Sequence, residues 1–164
     1  MVRLAALMIA SCVALCVTAQ ADTIQGVARV IDGDTVKVGE TIIRLANIDA
    51  PELGQKCDGP KALRSCGRVA ADFLADRIDG QRIECSVAAI DDYDRSIASC
   101  SHQGEDVSGW MVREGYALAF VRYSNRYVEE ERVARERHAG LWRATVEPPW
   151  EYRAHRCGSR SCLL

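Results

Sequence analysis

The sequence offers little that marks a membrane protein, a zinc knuckle or a protein that coats a polyanion. Of its 164 residues only Leu4 to Ala19 forms a long apolar run, and no later segment could stop transfer through a bilayer. There is no Cys-x-x-Cys and no His-x-x-x-His, and His102, His138 and His155 lie far apart, which excludes the common zinc spacings. A basic excess is missing too: the formal net charge is −2, so any grip on a polyanion must be local rather than broad. Internal repeats and low-complexity linkers are absent, and a composition 48% hydrophobic and 27% charged excludes a disordered chain.

What is present begins with an address. Met1-Val2-Arg3 precedes the apolar run and Ala19-Gln20-Ala21 supplies a small-x-small cleavage site, so residues 1–21 read as a secretory signal peptide. Ile9-Ala10-Ser11-Cys12 resembles a lipoprotein tetrapeptide, but the apolar run before Cys12 is short and Ala21 gives a conventional exit, so no membrane anchor is expected. The mature chain reads as one domain over 22–143 with a tail over 144–164, long enough for a core without metal staples. Loss of Arg3 takes the formal charge from −2 to −3 and leaves 17 Arg against 3 Lys. Guanidinium suits two-toothed phosphate contacts, although coding bias gives the same skew. Six cysteines remain, Cys57, Cys66, Cys85, Cys100, Cys157 and Cys162, an even count that suggests disulfides and a secreted or periplasmic location.

Periodicity then gives an element order. Thr23 to Ile31 reads as a strand, Asp32-Gly33 as a turn or bulge, and Asp34 to Val38 as a second strand. Gly39-Glu40 is a two-residue link of type II′ character, returning the chain along Thr41 to Ile48. With Val38 facing Thr41, Thr35 lies across from Arg44 and Asp34 from Leu45, so Asp34 and Arg44 meet at one end of the hairpin. Pro51 ends the strand, and Asp58-Gly59-Pro60 reads as the start of a helix running to Ile78 before Asp79-Gly80. Gln81 to Ala89 and Arg95 to Ser101 form a further pair in which Ile90 faces Arg95 and Cys85 faces Cys100. Helices follow, over Asp106 to Glu114 and from a cap near Ser124 or Asn125 to Gly140; the Glu131–Arg135 pair on the latter reads as a solvated face. Five short strands with a helix after the third and two later helices predict an α+β domain around a small barrel. Local geometry predicts Cys57 with Cys66, Cys85 with Cys100, and Cys157 with Cys162.

Five polar residues sit at element ends: Asp34, Arg44, Asp49, Glu52 and Arg95. Singly, each has an ordinary structural reading, as turn, strand exit or solvated arginine. Together, three acids supply hard oxygen ligands for Ca²⁺ or Mg²⁺, and two arginines can neutralise a phosphate and the charge that builds as water attacks phosphorus.

Asp32-Gly33-Asp34-Thr35-Val36-Lys37-Val38, followed by Arg44-Leu45-Ala46-Asn47-Ile48-Asp49-Ala50-Pro51-Glu52, closely resembles the signature of the thermonuclease, or staphylococcal-nuclease-like, family. Tyr93-Asp94-Arg95-Ser96-Ile97-Ala98 resembles that family's Tyr-Gly-Arg turn, and Val112 to Ala117 and Ala134 to Trp142 resemble its helical half. The resemblance covers Thr23 to Arg143. It implies a five-stranded OB-type β-barrel with three flanking helices, acting as a calcium-dependent phosphodiester hydrolase: a monomeric endonuclease for DNA and RNA that leaves 3′-phosphate ends, with Mg²⁺ as the second candidate metal. Carried over residue by residue, Asp34, Asp49 and the carbonyl of Ala50 hold the metal, Glu52 orients or deprotonates water, Arg44 and Arg95 clamp the phosphate, and Tyr93 and Tyr123 line the nucleotide pocket. One departure is an acidic turn: Asp92 and Asp94 flank Tyr93 and are expected to compete for the Arg95 guanidinium. The rival reading is a non-catalytic OB-type module that holds nucleic acid or protein without cutting it.

Overall fold

β-branched and apolar residues alternating with polar ones build the first strand, β1 (Thr23–Val30), which turns at Asp32-Gly33 into β2 (Thr35–Val38). The structure is a computed structural model that describes residues 22–157; the expected signal peptide and Cys162 lie outside the described residues. Gly39, at φ +58°, carries the chain into β3 (Thr41–Leu45), and the expected register holds, with Val38 opposite Thr41 and Thr35 opposite Arg44.

The return strand is shorter than expected. It breaks at Ala46-Asn47, where Asn47 takes a left-handed conformation at φ +65°, and Ile48–Asp49 forms a separate short strand, β4. That break turns Asp49 off the barrel ladder and back toward Asp34. The following helix also differs from expectation. Pro60 introduces only a 3₁₀ turn over Lys61–Leu63, and α1 (Cys66–Ile78) begins at Cys66. Asp58 is instead bridged to Thr145 by paired backbone hydrogen bonds of 3.2 and 2.7 Å, and the Cys57–Cys66 disulfide ties the loop to the helix start. At Gly67 the fit is absolute, since a Cβ there would stand 1.6 Å from the carbonyl oxygen of Glu52.

β5 (Arg82–Ile90) and β6 (Ser96–His102) pair as predicted through the Cys85–Cys100 rung, which is disulfide-bonded. A bulge between Val87 and Ala89 then shifts the register by one, so Ile90 faces Ser96 rather than Arg95. β1 pairs with β2 and β5, β2 with β3, β5 with β6, and a parallel pairing of β3 with β6 closes a five-stranded barrel of OB type. Ala28, Val36, Ile43 and Ala98 fill its interior, and α1 closes one end with Ala70, Leu74 and Ile78, all fully buried. Truncating Leu74 to Ala would cost about 2–5 kcal/mol.

β7 (Glu105–Asp106) leads into α2 (Val107–Arg113), whose cap Asp106 accepts from the Gly109 amide at 3.3 Å. β8 (Leu118–Ala119) pairs with β4, and α3 (Val128–Glu136) is capped at Tyr127, two residues beyond Asn125 and three beyond Ser124. Glu131 is more than a solvated partner of Arg135, because its other oxygen accepts from the Ala119 amide at 2.6 Å and pins β8. A fourth helix, α4 (Pro149–Cys157), lies in the segment read as a tail, so among the described residues four helices flank the barrel rather than three. Among the described residues no helix is long and apolar enough to cross a membrane.

Candidate active site

Strand exits bring the acids together. Asp34 immediately precedes β2 and is 3% exposed; Asp49 ends β4 and is fully buried. Asp34 Oδ2 accepts from the Ala50 amide at 2.7 Å, and its Oδ1 accepts from Thr35 Oγ1 at 3.2 Å and Arg44 Nη1 at 2.6 Å. Arg44, one rung along the hairpin, reaches the other way to Asp49 Oδ1 at 2.7 Å, so one planar guanidinium joins two buried carboxylates. Burial pushes both aspartates above the ordinary carboxyl range, with Arg44 pulling Asp34 back and hydrogen bonds from Arg153 pulling Asp49 back. The Arg44 guanidinium is itself held charged: burial opposes this, but Asp34 and Asp49 outweigh it.

Glu52 follows on the loop fixed by Gly67 and by Gln55. The fully buried Gln55 accepts from the Glu52 amide at 3.2 Å and donates to the Glu147 carbonyl at 2.7 Å, clamping the loop to the entrance of α4. Arg153, on α4, completes the network. Its Nη1 donates to Asp49 Oδ1 at 3.1 Å and Glu52 Oε1 at 2.8 Å, and its Nη2 donates to Asp49 Oδ2 at 2.8 Å.

Arg44 and Arg153, which hold the buried aspartates from the outside, open with Glu52 onto a cleft of about 870 Å³. Arg44, Glu52 and Arg95 line it together with the aromatic rings of Tyr93, Tyr123 and Trp150, so catalytic and nucleotide-contacting candidates share one cavity. Trp150 stacks on Phe120 with centroids 5.5 Å apart, seating α4 as one wall. Arg95 pairs with Asp91 rather than with Asp92 or Asp94, its Nε donating to Asp91 Oδ2 at 2.7 Å. The expected competition by the flanking acids is therefore corrected. Asp91 also accepts from the amides of Tyr93 and Arg95, at 2.9 and 3.0 Å, which is how the turn selects it. Against a burial that raises it, these hydrogen bonds hold the Asp91 carboxyl below its ordinary range.

Among the described residues no three His, Cys, Asp or Glu side chains converge as a ready-made metal cluster. The physical reason is that Arg44 and Arg153 stand between the acids. The donor chemistry still fits a hard divalent cation: two buried carboxylates, a third at the rim, and two guanidiniums that leave one negative charge uncompensated. Three residues of this site were not anticipated. Gln55 and Asp91 carry no sequence signal beyond loop polarity; Arg153 lies on a helix announced by Pro148-Pro149, a helix-start pattern inside the segment read as tail.

A sequence pattern described as staphylococcal nuclease homologue matches residues 42–144. That stretch contains Arg44, Asp49, Glu52 and Arg95; Asp34 and Arg153 lie on either side of it. The chain is 33% identical over 144 residues to the succinoglycan biosynthesis protein ExoI of Rhizobium meliloti (strain 1021), covering 85% of this chain and 72% of that one. It is 33% identical over 155 residues to the micrococcal nuclease of Shigella flexneri, covering 84% of each. An uncharacterized endonuclease of Escherichia coli O157:H7 is 34% identical over 138 residues, 79% of this chain and 84% of that one. With well over half of its length inside the family pattern and relatives aligned along most of theirs, the chain belongs to the family of staphylococcal nuclease homologues.

Proposed function

We propose that this protein is a secreted or periplasmic nuclease that hydrolyses phosphodiester bonds of DNA or RNA with a divalent cation, Ca²⁺ before Mg²⁺, and leaves 3′-phosphate ends. The observation that carries the reading is that Arg44, which lines the cleft with Glu52 and Arg95, bridges two buried aspartates. Membership of a nuclease family and relatives named micrococcal nuclease and endonuclease support it. The Cys57–Cys66 and Cys85–Cys100 disulfides fit an oxidising compartment.

Asp34, Asp49 and the carbonyl of Ala50 would hold the cation, which when bound neutralises charge on the phosphate. The rest falls to the chain's own side chains. Glu52, at the rim of the buried acids, takes a proton from the attacking water, whose oxygen bonds to phosphorus as the bond to O5′ breaks, and O5′ leaves as a hydroxyl by taking a proton from solvent in the open cleft. Arg44 and Arg95, both lining the cleft, face the equatorial oxygens, where negative charge grows, and each such contact is worth a few kcal/mol. Tyr93 and Tyr123 present exposed rings to bases, a stacking contact of about 1–3 kcal/mol per base that tolerates any sequence. Monomeric action suffices, since all of these residues come from one chain.

One observation favours the non-catalytic alternative: Arg44, Arg95 and Arg153 are each already ion-paired. Digestion of plasmid DNA and of RNA by the mature protein, with Ca²⁺, Mg²⁺ or chelator in turn, separates the two. A nuclease cuts with a cation and stops in chelator; a binding module retards the nucleic acid without cutting it.

A further inference from the structure

α4 lies outside the stretch matched by the family pattern, yet its Arg153 makes three hydrogen bonds to the acids beside the cleft. Its two Nη atoms take both oxygens of Asp49, and Nη1 also takes Glu52. Asp34 is committed as well, to Arg44, Thr35 and the Ala50 amide. All four oxygens of the two buried aspartates therefore already accept hydrogen bonds. A hard cation binds through those same oxygens. Of the two guanidiniums, Arg44 is the less free to move, being a strand residue with its side chain 16% exposed; Arg153 is 33% exposed and sits at the end of a long stem facing the open cleft.

We propose that Arg153 is the resident counter-ion of the acidic site and that a divalent cation enters by exchange with it, so that this α4 arginine sets the cation affinity. The inference rests on the metal-dependent reading above and adds to it a residue to which that reading gives no role. The exchange leaves the helix in place. α4 is anchored independently by the Gln55–Glu147 hydrogen bond at 2.7 Å, by the Asp58–Thr145 bridge and by Trp150 stacked on Phe120, so only the side chain needs to swing. Electrostatics favours the replacement once a cation is at hand. With Arg153 seated, three carboxylates face two guanidiniums and one negative charge is left over; a divalent ion in its stead, with Arg44, balances all three. In the cation-free protein the same arginine supplies the partner of Asp49 Oδ2, while Arg44 holds Oδ1.

The test is calorimetric titration of CaCl₂ into the cation-free mature protein and into Arg153→Gln and Arg153→Lys. Exchange predicts that Arg153→Gln binds Ca²⁺ about tenfold tighter or better, having no resident cation to expel, with Arg153→Lys in between. It also predicts a larger Ca²⁺-induced rise in Tm for Arg153→Gln than for the parent. Unchanged or weaker binding by a folded Arg153→Gln overturns the proposal and makes Arg153 a structural brace. Should Arg153→Gln fail to fold, the parent protein labelled with ¹⁵N-arginine decides: the Nη signals absent from the Arg153→Lys spectrum should shift as Ca²⁺ is added, and if Arg153→Lys fails too, the most slowly exchanging guanidinium signals take their place. Persistence of the ion-paired signals at saturating Ca²⁺ overturns the exchange alone. If neither parent nor variant binds Ca²⁺ or Mg²⁺ and nucleic acid is cut in chelator, the metal-dependent reading has failed and the exchange falls with it.

Discussion

Arg44→Met keeps the length of the side chain and removes its charge, so it isolates the bridge between Asp34 and Asp49. In the parent, Nη1 lies 2.6 Å from Asp34 and Nη2 2.7 Å from Asp49, with partner side chains only 5% and 0% exposed. After the change Asp49 keeps Arg153, but Asp34 keeps only the Thr35 hydroxyl and the Ala50 amide. Removing one partner of a buried pair costs about 3–5 kcal/mol, because an ionised carboxylate is left without a counter-charge. For a domain of this size that is a fall in Tm of roughly 10–15 °C. The deficit should depend on pH in a defined direction. An acid whose pKa is raised by folding binds its proton in the folded state first, so its drag on stability is full at neutral pH and is relieved as pH falls through the folded pKa. Asp34 and Asp49 are such acids, and losing Arg44 raises them further. Thermal melts in chelator should therefore show the variant losing less at pH 5 than at pH 7, and Ca²⁺ at pH 7 should restore part of the loss. A variant within about 0.5 kcal/mol of the parent at pH 7, with no recovery on acidification, would refute the claim that Arg44 compensates two ionised buried carboxylates.

Glu52→Gln should lower turnover by about 10² or more while costing no more than about 1 kcal/mol of stability, since its pair with Arg153 is partly exposed; equal turnover would remove Glu52 from the chemistry. Replacing Cys57 and Cys66 together by Ser should cost about 2–4 kcal/mol and also depress activity, because that disulfide starts α1 against the Glu52 loop; the Cys85 and Cys100 double replacement should cost similar stability with a smaller loss of activity. Non-reducing peptide mapping tests the remaining predicted pair, Cys157 with Cys162. Asp94 holds φ +60°, so Asp94→Gly should stabilise the turn by up to about 1 kcal/mol, whereas Asp91→Asn should weaken substrate binding by loosening the loop that presents Arg95; thermal melts and KM separate these effects.

Where local rules act alone, the sequence was readable. Gly39 in a two-residue link fixes the β2–β3 register, and that register delivers Arg44 opposite Thr35 and beside Asp34. The Cys85–Cys100 rung was legible for the same reason. The bulge at Val87–Ala89 was not, because it answers to barrel closure rather than to any residue at that position. Pro60 resembled a helix start, but a disulfide, a bridge to Thr145 and the contact of Gly67 with Glu52 delay α1 to Cys66; each depends on residues distant in sequence. Asp91 won Arg95 from its acidic neighbours because the turn aims its carboxylate at two backbone amides, a geometry that composition does not reveal. Arg153 lies about a hundred residues from the acids it pairs with, and only the Pro148-Pro149 pattern hinted at the helix that carries it.

The most direct test of the account is cleavage of an end-labelled oligonucleotide by the mature protein and by Asp34→Ala, in Ca²⁺ and in excess chelator, with the product ends identified by mass spectrometry. The account predicts cutting by the parent in Ca²⁺ alone, 3′-phosphate termini, and an Asp34→Ala protein that behaves in Ca²⁺ as the parent does in chelator. Undiminished cutting in chelator, or by folded Asp34→Ala, would contradict it.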